Sequence, residues 1–336
     1  MAKKIFKVER IYDMTNTFKE LYSHGQNGEM FNNLYSMIMG ENNILLAMKN
    51  ISSGIGRNTK GIDGKTISTY EKMPAEKLIQ IVKRRLNNFK PMKVKRIFIP
   101  KSNGTKRILG MLTFEDRLIQ QSIRQVLEPI CEAKFHPNSF GFRALRSTKH
   151  AVDKMLLLMQ MTKYDYCVDI DIKDFFDSVN HEILISKIYD LGIHDKKLLA
   201  IISKMLKAKI EGEGIKKIGL IQGAVLSPLL SNILLNELDW WITAQCQMAD
   251  KAPTDNRIYF VRYADDFKIL CKTFSDAFKI FNAVKAWLKD KLQLDISVEK
   301  SKILNLRTQG TEFLGFKLKS TLINGVYSVE THIVRQ

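Results

Sequence analysis

Between residues 164 and 172 the sequence alternates, with Val168, Ile170 and Ile172 on one side and Cys167, Asp169 and Asp171 on the other, the period of two that marks a strand with unlike faces. Two carboxylates therefore share one strand face. A second acidic pair, Asp265-Asp266, falls in the tight turn between predicted strands 257–263 and 267–272. Side-by-side pairing of these strands brings Asp171 to Asp265-Asp266, which is repulsive unless divalent cations lie between them. Oxygen-only ligands suit Mg²⁺, and two such ions can stabilise both the attacking and the leaving oxygen of a phosphoryl displacement. Taken alone, Asp265-Asp266 reads equally well as an Asx-type turn.

The charge of the chain points to a polyanionic partner. Its 336 residues include 53 Lys and Arg against 35 Asp and Glu, a net +18, which favours nucleic acid over small neutral ligands and over an anionic membrane surface. Residues 51–150 hold 21 basic and 7 acidic side chains, so +14 of that excess lies in under a third of the chain. No acid occurs between Glu76 and Glu115. A predicted helix after Pro74 carries Leu78, Val82 and Leu86 on one face and Lys83, Arg84 and Arg85 on the other, a surface suited to tracking phosphates, with a solvated basic face as the plain alternative. The length predicts two substructures. With 45% hydrophobic residues, a sizeable core is available. Cys131, Cys167, Cys246 and Cys271 are too far apart for a paired metal motif, and fit buried positions in a reducing cytoplasm. No apolar run is long enough for a membrane span, and the six His residues show no ligand spacing.

Other elements follow from periodicity and punctuation. A mostly helical stretch is predicted over 30–50, then a Gly- and Ser-rich loop over 52–64. Strands over 93–99 and 105–109 flank Lys101-Ser102-Asn103-Gly104, a basic β-hairpin with an Asn-Gly turn. A helix over 115–128 is expected to stop at Pro129, and others follow over 181–191 and 195–209. Ser227-Pro228 opens an apolar helix reaching about Trp241. A helix over 275–292 precedes a last hairpin, 313–323 and 326–331, turned by Asn324-Gly325.

Three of these segments, Asp171-Ile-Lys-Asp-Phe-Phe-Asp177, Gln222-Gly-Ala-Val-Leu-Ser-Pro228 and Tyr263-Ala-Asp-Asp266, resemble the palm motifs of reverse transcriptases in order and spacing. Flanking segments resemble the group II intron-encoded members, also called maturases: Gly61-Ile-Asp-Gly64, Ile99-Pro-Lys-Ser-Asn-Gly-Thr-Lys-Arg107, Asp116-Arg117, Ser139-Phe-Gly-Phe-Arg143, Val298-Glu-Lys-Ser-Lys302 and Phe313-Leu-Gly-Phe316. The likeness covers about residues 30–320. The chain departs from the family pattern at Ile108 and Leu112, where Pro is usual, and at Ala224, where a second Gly is usual.

The resemblance implies that Asp171 and Asp265 are metal ligands for two Mg²⁺ ions, with Asp266 as a supporting third carboxylate. Asp169 lies outside the motif and is expected to be exposed or to act behind the ligands. Phe176 matches the position that excludes a 2′-hydroxyl, with an ordinary core Phe as the alternative. Gln222 and Gly223 lie against nucleotide and template, Lys101 and Arg107 hold the triphosphate, and Arg143 contacts template phosphate. Phe313 to Phe316 resembles the primer grip, or else an apolar core strand.

The implied architecture is α+β, a right-hand polymerase fold whose palm is an antiparallel sheet backed by helices, with basic fingers of helices and a β-hairpin. The expected regions are an N-terminal extension (1–60), fingers (61–160), palm (161–320) and the start of a connection to a thumb (321–336). The chain reads as a fingers-and-palm portion of a longer family architecture. The implied function is RNA-directed DNA synthesis, with intron RNA as template, a DNA primer and dNTPs, together with intron binding for splicing and retrohoming. The alternative is an RNA-binding splicing cofactor that does not need polymerase activity. A cytoplasmic protein without membrane contact is expected, and homodimerisation is left open.

Overall fold

The computed structural model describes residues 13–54, 56, 58–100, 106–249 and 258–334. In chain order the elements begin with α1 (Thr15–Gln26), α2 (Leu34–Ile38), α3 (Glu41–Ser52), α4 (Ser68–Glu71) and α5 (Ala75–Asn87), then β1 (Lys95–Pro100) and β2 (Lys106–Met111). Next come α6 (Phe114–Lys134), α7 (Thr148–Thr162), β3 (Tyr166–Asp171), α8 (Phe175–Ser178), α9 (His181–Asp190), α10 (Lys196–Leu206) and α11 (Ser227–Ala249). The last are β4 (Tyr259–Tyr263), β5 (Asp266–Cys271), α12 (Phe274–Trp287), β6 (Lys302–Asn305), β7 (Thr311–Phe313), β8 (Phe316–Ile323) and β9 (Val326–Ile333). Two compact units share them: residues 1–134 with 179–233, and 135–178 with 234–336.

The first unit is organised on α6. This helix is buried around most of its circumference, through Phe114, Leu118, Ile119, Ile123, Val126, Leu127, Ile130 and Cys131. It does not stop at Pro129 as the sequence predicts, but runs on to Lys134. Proline removes one helical hydrogen bond, while the turn beyond it is held by burial: Ile130 and Cys131 are fully enclosed. At Gly25, α1 comes so close that a Cβ would lie 3.0 Å from the Ala133 Cβ. Helix α5 buries Leu78, Ile79, Val82 and Leu86, the face its spacing predicts. Strands β1 and β2 pair antiparallel, with Pro100 opposite Lys106; the expected Asn-Gly turn lies outside the described residues. Leu112 and Ala224, two of the departures from the family pattern, pack in one apolar cluster with Val94 and Ala208.

In the second unit a four-stranded antiparallel sheet has the order β4-β5-β3-β6. Cys167, Leu270 and Val261 on one face pack against Ala151, Met155, Leu158 and Met159 of α7 and against Phe313 and Leu318 of a second sheet. Val168, Ile170, Phe267 and Ile269, all fully buried, take the opposite face, where α12 packs on β3, β5 and β6. The second sheet has the order β7-β8-β9. The single strand predicted over 313–323 is broken at Leu314 (φ +51°) and Gly315 (φ +86°), which turn β7 back into β8. The Asn324-Gly325 turn forms as its sequence requires, both residues at positive φ, with Ile323 opposite Val326. Among the described residues no helix is long and apolar enough to cross a membrane.

The loop entering this unit is built on His136. Its Nδ1 accepts the Asn138 N–H at 3.1 Å, so its proton sits on Nε2, which lies 2.9 Å from the Thr243 Oγ1. Burial, reinforced by Arg262, Arg143, Arg146 and Lys154, pushes the imidazole down to about 4. The unfolded chain therefore binds a proton at this residue between about pH 6.5 and about 4 that the folded chain refuses. Folding stability contributed by His136 is intact above that window and falls as pH drops through it. Thermal melting across pH 4–8 should show a shallower acid loss for His136→Gln than for the unaltered protein, although the variant starts lower at pH 7; parallel curves would refute this.

Candidate active site

Strands β3 and β5 bring the acids together. Asp171 at the end of β3 lies directly opposite Asp266 at the start of β5, and Asp169 lies opposite Lys268. Since directly opposed residues of an antiparallel pair project from the same face, the sheet carries Asp169, Asp171, Asp266 and Lys268 side by side. Tyr263 pairs with Asp266, leaving Ala264 and Asp265 as the two-residue turn, with Ala264 at φ +56°.

The cluster is not a uniform acidic patch. Lys268, 3% exposed, ion-pairs with Asp169 and, at 3.0 Å, with Asp266. Its ammonium also lies 5.6 Å from the centre of the Phe313 ring. Burial pushes the Asp266 carboxyl up to about 6 despite Lys268. Burial also raises Asp265, and the Asp171 carboxylate adds to that rise. Asp171 has a different setting: its N–H donates to the Ser301 Oγ at 3.1 Å, its carbonyl accepts the Ser297 N–H at 2.8 Å, and Lys300 Nζ lies 3.5 Å from its Oδ2. Asp169 is buried in an ion pair rather than exposed, because it balances Lys268.

Two carboxylates, Asp171 and Asp265, thus remain outside the Lys268 pair. Among the described residues no three His, Cys, Asp or Glu side chains form a ready cage for a metal ion. That donor set fits a hard cation that takes one or two carboxylates and completes its shell with water and substrate phosphate. Phe176 sits in α8, just beyond β3. It is half-buried, edge-on to the exposed ring of Phe142 at 6.5 Å between centres, so it is not an enclosed core residue. Phe313, by contrast, is fully buried.

The remaining sequence candidates divide between surface and scaffold. In the first unit Gly110 donates its N–H to the Gln222 carbonyl at 2.8 Å, and Gly223 stands at φ +92°. Arg107 lies on β2 opposite Ile99; Lys101 lies outside the described residues. Of the three α5 residues expected at RNA phosphates, Arg84 is exposed, Lys83 pairs with Glu41 at 2.8 Å, and Arg85 turns inward. The Arg85 guanidinium bonds Glu115 at 3.1 Å, Asp116 at 2.7 Å and the Lys90 carbonyl at 2.9 Å. Expected at RNA phosphates, it instead ties α5 to α6. Arg143 is likewise corrected: 6% exposed, it donates to the carbonyls of His136 and Ser139 at 2.7 and 2.8 Å and lies over the Phe135 ring. Its cation is spent on holding the loop. Sequence reasoning missed Lys268, and quoted Lys300 and Ser301 only within the Val298–Lys302 segment, without a role. Lys268 was detectable as one charge inside the apolar run Phe267-Lys-Ile-Leu-Cys271.

The family model described as reverse transcriptase (RNA-dependent DNA polymerase) matches residues 99–318. The chain belongs to the reverse transcriptase family. It is 31% identical over 298 residues to protein YkfC of Escherichia coli K12, covering 79% of this chain and 77% of YkfC. It is 30% identical over 348 residues to the group II intron-encoded protein LtrA of Lactococcus lactis, covering 87% of this chain and 57% of LtrA. An apo telomerase of Candida tropicalis truncated from its C-terminal domain shares the fold, with a TM-score of 0.51 and 17% identity over 68% of this chain and 53% of that one. The α+β, right-hand polymerase fold expected from the motifs is thus the fold of this reverse transcriptase.

Lys268 is the residue on which this arrangement can be tested. Lys268→Met leaves the buried Asp169, and the half-buried Asp266 beside it, without their counter-charge and is expected to cost about 3–5 kcal/mol in urea unfolding. Replacing Asp169 by Asn at the same time should recover part of that loss. A Lys268→Met protein of unaltered stability would show that the pair does not hold the strands.

Proposed function

We propose that the chain is a group II intron-encoded reverse transcriptase that copies intron RNA from a DNA primer. The primer 3′-oxygen attacks the α-phosphorus of a dNTP, forming the O3′–P bond as the P–O bond to pyrophosphate breaks. The observation that carries this reading is the cross-strand placement of Asp171 beside the Asp265-Asp266 turn, within a chain of this family.

Reverse transcriptases use divalent metal ions, and here Asp171 and Asp265 would hold two Mg²⁺ ions. When bound, these supply Lewis-acid stabilisation of the attacking and leaving oxygens. Asp266, bonded to Lys268, serves as the supporting carboxylate. Phe176 occupies the volume that a ribonucleotide's 2′-hydroxyl would need. Gln222 and Gly223 lie along the nucleotide and template, with glycine at 223 because the backbone there has positive φ. Arg107 and Lys101 bind the triphosphate electrostatically. Arg84, exposed on α5, contacts RNA phosphate. The fingers role falls to about residues 61–160 and the palm role to 161–320. The basic charge of residues 51–150 would serve a splicing cofactor as well as a polymerase; clustered acids beside RNA favour catalysis, since a pure binder gains nothing from them.

Primer extension on an RNA template with Mg²⁺ tests the assignment. Asp171→Ala and Asp265→Ala should each lose activity by orders of magnitude while RNA affinity is kept or slightly raised. Wild-type-like extension by either variant would contradict the metal-ligand roles.

The sugar gate has its own readout. Phe176→Ala should lower discrimination against ribonucleotides at least tenfold, about 1.4 kcal/mol at the transition state, while deoxynucleotide use stays measurable. A purely packing Phe would instead show equal loss with both substrates and a stability cost of about 3–5 kcal/mol.

A further inference from the structure

Arg262 on β4 and Asp239 on α11 are both fully buried. The Arg262 Nε donates to the Asp239 Oδ1 at 2.7 Å, and one terminal nitrogen donates to Oδ2 at 2.5 Å. Such a two-pronged pair fixes the plane of the guanidinium as well as its position. The other terminal nitrogen donates to the Ala264 carbonyl at 2.9 Å. That carbonyl belongs to the peptide directly before Asp265.

Ala264 needs such a hold. Its φ of +56° is one that a residue with a side chain keeps only when its surroundings impose it. Arg262 grips the turn on its carbonyl side. On the other side the 138–141 loop runs along it: the Phe140 N–H donates to the Arg262 carbonyl and the Arg262 N–H to the Asn138 carbonyl, both at 2.9 Å. Gly141 is so close that a Cβ would lie 2.3 Å from the Ala264 nitrogen. Buried ion pairs are often replaceable by apolar residues without loss of stability, so holding the fold together does not by itself explain this one.

We propose that the Arg262–Asp239 pair is a positioning device for Asp265: Asp239 sets the direction of the guanidinium, and the guanidinium fixes the Ala264 peptide that carries the Asp265 carboxylate. Neither residue touches substrate. The inference rests on the reading that Asp171 and Asp265 bind divalent cations.

The test pairs Arg262→Met with Asp239→Leu in one protein, which removes both charges together and leaves no buried ion unpaired. Mn²⁺ alone, titrated against the full chain without nucleic acid and followed by electron paramagnetic resonance, reports the carboxylate site independently of turnover. The double variant should melt within a few degrees of the unaltered protein and keep its RNA affinity, yet bind Mn²⁺ at least tenfold more weakly and extend primers at least a hundredfold more slowly. Asp265→Asn is the control. If Asp265→Asn binds Mn²⁺ like the unaltered protein, the cation reading itself fails and takes the inference with it. If Asp265→Asn loses Mn²⁺ but the folded double variant does not, the cation reading stands and the positioning role is overturned. Should the double variant not fold, Arg262→Lys keeps the charge opposite Asp239 while giving up the fork that also reaches Ala264. A folded Arg262→Lys protein should then bind Mn²⁺ at least threefold more weakly, and unaltered affinity would overturn the proposal.

Discussion

Four carboxylates meet at one end of one sheet, and a single buried lysine decides how they are shared. Two unit charges about 4 Å apart interact by about 4 kcal/mol at the effective dielectric near a protein surface, so strands bearing Asp169, Asp171 and Asp266 on one face could not pair unassisted. Lys268 pairs with Asp169 and Asp266, which leaves Asp171 and Asp265 as the carboxylates outside that pair. The apolar half of the same face, Cys167, Leu270 and Val261, is sealed by α7 and the second sheet, so the polar end is set on a rigid base. Residues of the same chemical type are thus divided, by what each one faces, between the lysine's pair and the carboxylates proposed to bind cations.

The strand alternation at 164–172, the tight Asp265 turn and the Asn324-Gly325 hairpin were legible because each depends on neighbours within a few residues. The same local logic failed where distant packing prevails. Pro129 ends a helix by local rules, but α6 is buried on both sides of it. Phe313 and Phe316 read as one strand because the Leu314-Gly315 turn has only a single glycine to announce it. Arg85 and Arg143 read as surface cations from their basic neighbourhoods, and nothing local reveals the carboxylates and carbonyls they face. Lys268 and Asp169 are 99 positions apart, and Asp171 and Ser301 are 130 apart, distances over which periodicity carries no information.

Contacts and motifs partition the chain differently. Residues 179–233, which include Gln222 and Gly223, fold with the N-terminal unit, whereas the Asp171 and Asp265 segments lie in the other. Within the first unit, Gly110 and Gln222 share a backbone hydrogen bond, so a basic hairpin and a motif more than a hundred residues later become one local structure. Leu112 and Ala224, both departures from the family pattern, lie in the same small cluster. These two departures therefore concern how the residue just beyond β2 packs near Ala224, and the sheet that carries the carboxylates does not include them.

The most direct test of this division of labour is anomalous diffraction from Mn²⁺ in crystals of the protein with primer, RNA template and a dNTP. Ions are expected on Asp171 and Asp265, with Lys268 still bonded to Asp169 and Asp266. Ions held instead by Asp169 and Asp266, with Lys268 displaced, would contradict this division.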